Sequence, residues 1–260
     1  MLAIQRREII KKQIELNGEV LVAELSKTLN VSESTIRRDL DILERQQVVT
    51  KTYGGAVIHE QYPLTDEPLF SERESTNYYQ KERIAKHAAD LVEDGDVIIL
   101  DNGTTTSLMV NFLHDKKDLT IITNSVNIAY NLMSNPTVEI IVLGGQVRIR
   151  TGAIVGNSTL LSLQSLWANK VFLSCSGVSL EGGVTVSNMN SMEVRKQMIQ
   201  SSQSTILLAD HSKIGKRFIA RICSVEDVTT LVTDQDFEEK EQFEGLGLNV
   251  VITNSLKGEG

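Results

Sequence analysis

The 260-residue sequence predicts two domains of different class: a small α+β unit of three helices and a hairpin, then a larger α/β domain with a mainly parallel sheet. Three observations predict this division. Residues 1–58 carry short helical stripes and end in two β-prone runs around a Gly-Gly pair. Residues 59–77, HEQYPLTDEPLFSERESTN, hold two prolines and five acidic residues with no helical stripe, and read as a linker, part of which can pack back on either domain. In residues 78–260, helix-length segments alternate with seven short, continuously apolar runs, the pattern of strands covered on both faces.

In the first unit, Ile4 to Leu16 form a helix carrying Ile9, Ile10 and Ile14, ended by Asn17-Gly18 with Gly18 as a left-handed cap. Val22, Leu25 and Leu29 stripe a second, short helix. Leu29-Asn30-Val31-Ser32 then leaves only a tight turn before a third, in which Ile36, Leu40 and Leu43 step by four and three along one face. Ser32 suits its N-cap, Glu33 suits its positive end, and Val31 closes over Ile36 as a hydrophobic staple. VVTKTYGGAVI, residues 48–58, reads as two strands around Tyr53-Gly54-Gly55. Two helices across a tight turn make a helix-turn-helix, and the hairpin makes it a winged one.

With the apolar stripe turned inward, Ser34, Thr35, Arg37, Arg38 and Asp41 share the outer face of the third helix. An isolated arginine pair is an ordinary solvated face, but in a winged helix-turn-helix this helix enters the major groove by its N-terminal end. Ser32, Ser34 and Thr35 then donate to phosphates or bases, Arg37 and Arg38 bind phosphates or read guanine edges, and Lys51 reaches a flanking phosphate. Double-stranded DNA is the expected partner. The whole-chain charge of −8 argues against that until it is divided. Residues 1–58 hold nine Lys and Arg against eight Asp and Glu, leaving seventeen against twenty-six for the rest. A near-neutral unit must concentrate its basic groups on one face, and a homodimer or higher homo-oligomer is expected to supply a second copy.

In the second unit, Ile84, Ala88 and Leu91 stripe a helix. The apolar runs are VIIL (97–100), LTIIT (119–123), VEIIVL (138–143), VFLSC (171–175), TILLA (205–209), TTLVT (229–233) and NVVIT (249–253). In such sheets ligands collect at the C-terminal strand ends. After VIIL comes DNGTTTSLMVNFL: Asp101, then Gly103 for close backbone approach, then the hydroxyls of Thr104, Thr105 and Thr106 at the start of a helix carrying Leu108, Phe112 and Leu113. Alone this is a capped helix after a tight turn. Other strand ends add Thr123, Asn124 and Ser125, then Gly144 and Gly145, then Asp210, His211, Ser212 and Lys213. Together they suit a polyhydroxylated, phosphorylated ligand.

Cys175 and Cys223, the two cysteines, sit in apolar contexts and read as buried thiols. Four scattered histidines show no metal spacing, so no metal and no cofactor is expected. No apolar run is long enough to span a membrane and no signal-type segment is seen, so a cytoplasmic protein without membrane attachment is expected.

The run VLVAELSKTLNVSESTIRRDLDILERQQVVTKTYGGAV, with its VAEL opening, TIRRDL core and GGA ending, resembles the DNA-binding region of the DeoR family of bacterial transcriptional regulators. The resemblance continues through TNS, LGG and ADHSK, and through DNGTTT, where Asn102 replaces the family's usual serine. In MEVRKQMI, Glu193 and Met198 fit the family pattern, while Arg195 stands where lysine is common; the charge is kept but not the hydrogen-bond geometry. The resemblance implies a C-terminal domain similar to the ribose-5-phosphate isomerase and CoA-transferase fold, sensing a phosphorylated sugar. The expected function is a repressor of a carbohydrate-utilisation operon, in which the effector favours an arrangement of the two winged units that no longer matches the operator. The expected effector residues are Asp101, Gly103, Thr104, Thr105, Thr106, Thr123, Asn124, Ser125, Gly144, Gly145, Glu193, Arg195, Asp210 and Lys213, and no catalytic residue is expected. The alternative is a sugar-phosphate isomerase-like enzyme, alone or combined with regulation, with Asp101, Glu193, Asp210 and Lys213 as its candidate groups. DNA binding without a small-molecule input leaves the polar strand ends unexplained.

Overall fold

The computed structural model describes residues 3–17, 19–45, 49–52, 54–58 and 68–253, and the chain divides into two compact units, Met1–Tyr62 and Pro63–Gly260. The first unit runs α1 (Ala3–Asn17), β1 (Glu19–Leu21), α2 (Val22–Leu29), α3 (Glu33–Arg45), β2 (Val49–Thr52) and β3 (Gly55–Ile58). Ile10 and Ile14 of α1, Val22, Leu25 and Leu29 of α2, and Ile36, Leu40 and Leu43 of α3 are buried together, with Val31 packed part-buried against them. Each fully buried Ile or Leu contributes about 1.5–3 kcal/mol relative to exposure. The tight turn between α2 and α3 depends on Asn30 at φ 50°, a left-handed conformation that Asn tolerates. Ser26 Oγ pins the turn by donating to the Val31 carbonyl at 2.7 Å. The expected caps and turn at Gly18 and Tyr53 lie outside the described residues.

Two features were not expected. The hairpin gains a third strand, because β1 pairs antiparallel with β3 in a sheet ordered β1-β3-β2. This explains Gly55: a Cβ there would meet the Val20 carbonyl oxygen at 2.1 Å. Asp39, on the third helix, is buried and accepts from Arg6 Nε at 2.5 Å and Arg7 Nη1 at 3.4 Å, tying α3 to α1.

The second unit opens with α4 (Phe70–Ser75) and α5 (Tyr78–Asp90), then β4 (Val97–Leu100), α6 (Thr104–Met109), β5 (Leu119–Thr123), α7 (Val126–Leu132) and β6 (Val138–Val142). It continues with β7 (Gln146–Arg148), β8 (Ala153–Val155), α8 (Asn157–Gln164), β9 (Ala168–Ser174), β10 (Gly177–Ser179), β11 (Gly183–Val186) and α9 (Met189–Gln200). β12 (Ser202–Leu208), β13 (Ala220–Cys223), β14 (Thr230–Thr233), α10 (Lys240–Gly245) and β15 (Asn249–Ile252) complete it. Part of the expected linker 59–77 is helical: α4 is formed by its residues Phe70–Ser75. That helix buries no residue, so it has no apolar stripe to read; its first turn is closed by the Leu69 N–H donating to Glu72 Oε2 at 3.0 Å.

All seven apolar runs become strands of one sheet, ordered β15-β14-β12-β9-β4-β5-β6, and every neighbouring pair is parallel. Alternate side chains enter two separate cores. Ile98, Leu100, Phe172, Ile206 and Leu208 pack on one face, and Ile99, Val171, Leu173 and Leu207 on the other. Chain order reverses beside β4, with β5 on one side and β9 on the other, which makes the β4/β9 border the switch point where such sheets open a crevice. The antiparallel pair β7–β8 and the small sheet β10-β11-β13 were not anticipated. Among the described residues no helix is long and apolar enough to cross a membrane.

Candidate functional site

On the first unit, the start of α3 presents a cluster of hydroxyls. Ser32 Oγ lies 2.9 Å from both Ser34 Oγ and Thr35 Oγ1, and the Thr35 N–H donates to Ser32 Oγ at 3.3 Å, so Ser32 caps the helix as its sequence suggests. Arg37 and Arg38 are exposed. Arg37 Nη2 pairs with Glu33 Oε2 at 2.8 Å one turn earlier, whereas Arg38 has no ion-pair partner among the described residues. Lys51 of β2 pairs with Asp41 Oδ1 at 2.5 Å, and its ammonium is held above the usual lysine range by that hydrogen bond. Ser32, Ser34, Thr35, Arg37, Arg38 and Lys51 therefore all belong to one small unit, with short donors at the helix N-terminus and cations beside them.

On the second unit, a cavity of about 350 Å³ opens where β4, β9 and β12 end. Gly103, Thr104 and Thr105 line it after β4, Ser174, Cys175 and Ser176 after β9, and Asp210, Ser212 and Lys213 after β12. Gly103 is required by packing, since a Cβ there would lie 2.5 Å from the Ser174 side chain. The hydroxyls of Thr104 and Thr105 neither accept nor donate a hydrogen bond among the described residues. Thr106 behaves differently: its hydroxyl donates to the Asp101 carbonyl at 2.6 Å and accepts from the Gly103 N–H at 3.0 Å, so it shapes the loop from behind.

Five of the fourteen expected effector residues thus line the cavity: Gly103, Thr104, Thr105, Asp210 and Lys213. The others have different neighbours. Asp101 Oδ2 accepts from Arg195 Nε at 2.9 Å and from Ser174 Oγ at 2.6 Å, and both charged side chains are buried. Arg195 Nη2 also reaches the Asn102 carbonyl at 3.4 Å. Asn124 Oδ1 accepts from the Asn102 N–H at 3.1 Å while its amide donates to the Ile154 carbonyl at 3.1 Å. Thr123 Oγ1 donates to the Leu100 carbonyl at 2.8 Å, and Ser125 caps α7. The Gly144 carbonyl accepts from Thr159 Oγ1 at 2.8 Å, and a Cβ on Gly145 would meet that same oxygen at 2.4 Å. Glu193 is exposed, 4.0 Å from Lys196, and does not line the cavity.

Sequence reasoning missed one wall of the cavity. Pro68, Glu72, Arg73 and Thr76 from the supposed linker, with Asn77 and Lys81 of the α5 region, close it. Asn77 Nδ2 donates to Asp210 Oδ1 at 3.1 Å, and Asp210 also caps the following turn through the Ser212 N–H at 2.9 Å. Burial alone would raise the Asp210 carboxyl, but the Ser212 hydrogen bonds, the Lys213 charge and the Asn77 amide outweigh it and hold it below the usual carboxylate range. Lys81 is buried beside them, and burial pulls its ammonium down to about 8 against the attraction of Asp210. The free thiols of Cys175 and Cys223 are both pushed up to about 12 by burial, so neither is a ready nucleophile. The described residues contain no cluster of three His, Cys, Asp or Glu able to hold a metal ion.

Two family models match the chain: a DeoR-like helix-turn-helix domain over residues 6–62 and a DeoR C-terminal sensor domain over residues 76–235. Among curated relatives, an HTH-type transcriptional regulator of Bacillus subtilis, YulB, is 39% identical over 92% of this chain and 91% of its own. The lactose phosphotransferase system repressor of Staphylococcus epidermidis is 34% identical over 92% of this chain and 95% of its own. The glycerol-3-phosphate regulon repressor of Escherichia coli is 30% identical over 88% and 90%. Among solved structures, ribose 5-phosphate isomerase A of Methanocaldococcus jannaschii is similar over 54% of this chain and 55% of its own, at 18% identity and a TM-score of 0.40.

Proposed function

The chain belongs to the DeoR family of transcriptional regulators, and from that premise we propose that it represses a carbohydrate-utilisation operon and leaves its operator when a phosphorylated sugar fills the cavity at the β4, β9 and β12 ends. The observation that carries the effector half is the cavity's composition: Lys81 and Lys213 for an anion, the unbonded hydroxyls of Thr104 and Thr105 beside them, and Asp210 for sugar hydroxyls. Relatives named for a glycerol-3-phosphate regulon and a lactose phosphotransferase system support an effector of this class. On the DNA side, α3 enters the major groove with Ser32, Ser34 and Thr35 leading and Arg37 and Arg38 behind, while Lys51 approaches a flanking phosphate. A homodimer supplies the second half-site reader.

The isomerase reading is disfavoured by the carboxylates. Aldose–ketose isomerisation needs a carboxylate base within reach of a substrate carbon. Asp101 is engaged by Arg195 and Ser174, Asp210 caps a turn, and Glu193 lies outside the cavity. These roles suit binding, not turnover.

Effector and operator are then linked reciprocally: a ligand that weakens DNA binding by some factor is itself weakened by DNA by the same factor. The direct test is a thermal melt of the protein against hexose, pentose and triose phosphates and the corresponding free sugars. Saturation at about a hundred times Kd adds roughly 2.7 kcal/mol, a rise of roughly 5–10 °C for a unit of this size. A rise with one phosphorylated sugar and none with its free sugar is expected; no rise with any compound would contradict the effector reading.

A further inference from the structure

The cavity contains a buried cation that is ion-paired with no carboxylate among the described residues. Lys81 is 4% exposed and lines the cavity with Asn77, Asp210 and Lys213. Its Nζ donates to the carbonyl oxygen of Arg73, and among the described residues no carboxylate forms an ion pair with it. An ammonium has three donors, so most of its capacity is left for something else. The charged groups around it are Arg73 and Glu74 from the α4 side and Asp210 and Lys213 from the turn after β12. Glu72 of α4 also lines the cavity, and among the described residues none of these three acids is ion-paired with Lys81. The remaining neighbours in the cavity from α6 and β9 are Gly103, Thr104, Thr105, Ser174 and Cys175, which carry no charge at ordinary pH. A charge removed from water without a paired opposite charge is unfavourable.

Resting on the effector reading above, we propose that the phosphate of the effector is the counter-ion of Lys81, and that in weakly alkaline solution its binding is coupled to proton uptake by the Lys81 amine. The bookkeeping is simple: a proton passes from buffer to Nζ, and no other bond changes. With the cavity empty, burial holds the amine at about 8, so near pH 8.5 a large share of it is neutral. A phosphate monoester, with a second pKa of about 6, is already a dianion there, so the proton does not come from the ligand. The occupied cavity keeps Lys81 charged to higher pH. Effector affinity is therefore flat below the empty-cavity value and falls by up to about tenfold per pH unit above it.

The experiment is calorimetric titration of the full chain with inorganic phosphate at pH 8.5, in two buffers of different ionisation enthalpy, which counts protons bound per phosphate. Wild type takes up roughly half a proton or more. Lys81→Arg retains phosphate binding and takes up none, because a guanidinium stays charged throughout this range. Lys81→Met binds phosphate at least tenfold more weakly. Proton uptake in Lys81→Arg equal to wild type, or undiminished affinity in a folded Lys81→Met protein, would overturn this assignment and leave the effector cavity standing. No phosphate binding to wild type at all would overturn both.

Discussion

Arg195 Nε stands 2.9 Å from Asp101 Oδ2 with both side chains buried, joining α9 to the end of β4. The pair holds the loop that carries Gly103, Thr104 and Thr105, supporting from behind the residues proposed to bind the effector. Arg195→Ala leaves the Asp101 charge buried without its partner, which destabilises by about 3–5 kcal/mol. A thermal melt should show the larger unit unfolding roughly 6–20 °C below wild type. An unchanged melting temperature would mean that the pair does not support the loop.

Asp39 has the corresponding place in the smaller unit, where it holds Arg6 and Arg7 of α1 against α3. Asp39→Ala strands Arg6 in the interior, again at a cost of about 3 kcal/mol or more. Operator affinity should fall because α3 loses its support, while phosphate affinity of the larger unit is kept. Full operator affinity in this variant would show that α1 does not hold the reading helix in place.

Arg38 and Arg37 separate by their partners. Arg37 is paired with Glu33 in the free protein, and Arg38 is available at once. Arg38→Ala should weaken binding to every DNA sequence and reduce the salt slope by about one unit, measured by titrating labelled operator between 50 and 200 mM salt, a range of about that size being diagnostic. Unchanged affinity and slope would remove Arg38 from the interface.

Thr105 offers the cavity a hydroxyl that has no hydrogen bond among the described residues. Thr105→Ala should keep operator affinity and raise the effector concentration needed for release by about tenfold, the worth of one hydrogen bond to a charged group, about 1.5 kcal/mol. Loss of operator affinity with a normal effector response would be the contrary result.

What the sequence made legible follows from where its information is local. The seven strands of the sheet could be read because a strand covered on both faces is continuously apolar whoever its neighbours are; VIIL and LTIIT need no partner to be recognised. The tight turn and stripe of Val22–Leu29 and Glu33–Arg45 were legible for the same reason. β1, β7 and β10 have three residues each and are defined by their pairing, which no short run announces. Asp39 is one polar residue among several in ESTIRRDLDILER, and its buried pairing depends on Arg6, which comes from another element. In the cavity, the motif residues after β4 and β12 stood out by type, but Lys81 sits within YYQKERIAKHAAD, where lysines are ordinary surface residues. Its burial comes from α4, a helix with no stripe in a segment that reads as linker. Arg195 and Glu193 had the chemistry of ligand-binding residues, and only the fold decides that one turns inward to Asp101 and the other outward to water.

In the proposed function, one cavity ligand controls operator binding. Fluorescence anisotropy of the protein on the DNA upstream of its own gene, at fixed salt, with and without phosphorylated hexoses, pentoses and trioses, tests it most directly. Tight binding that a single phosphorylated sugar releases is expected, with Thr105→Ala shifting that release to higher concentration. Tight binding that no phosphorylated sugar alters would contradict it.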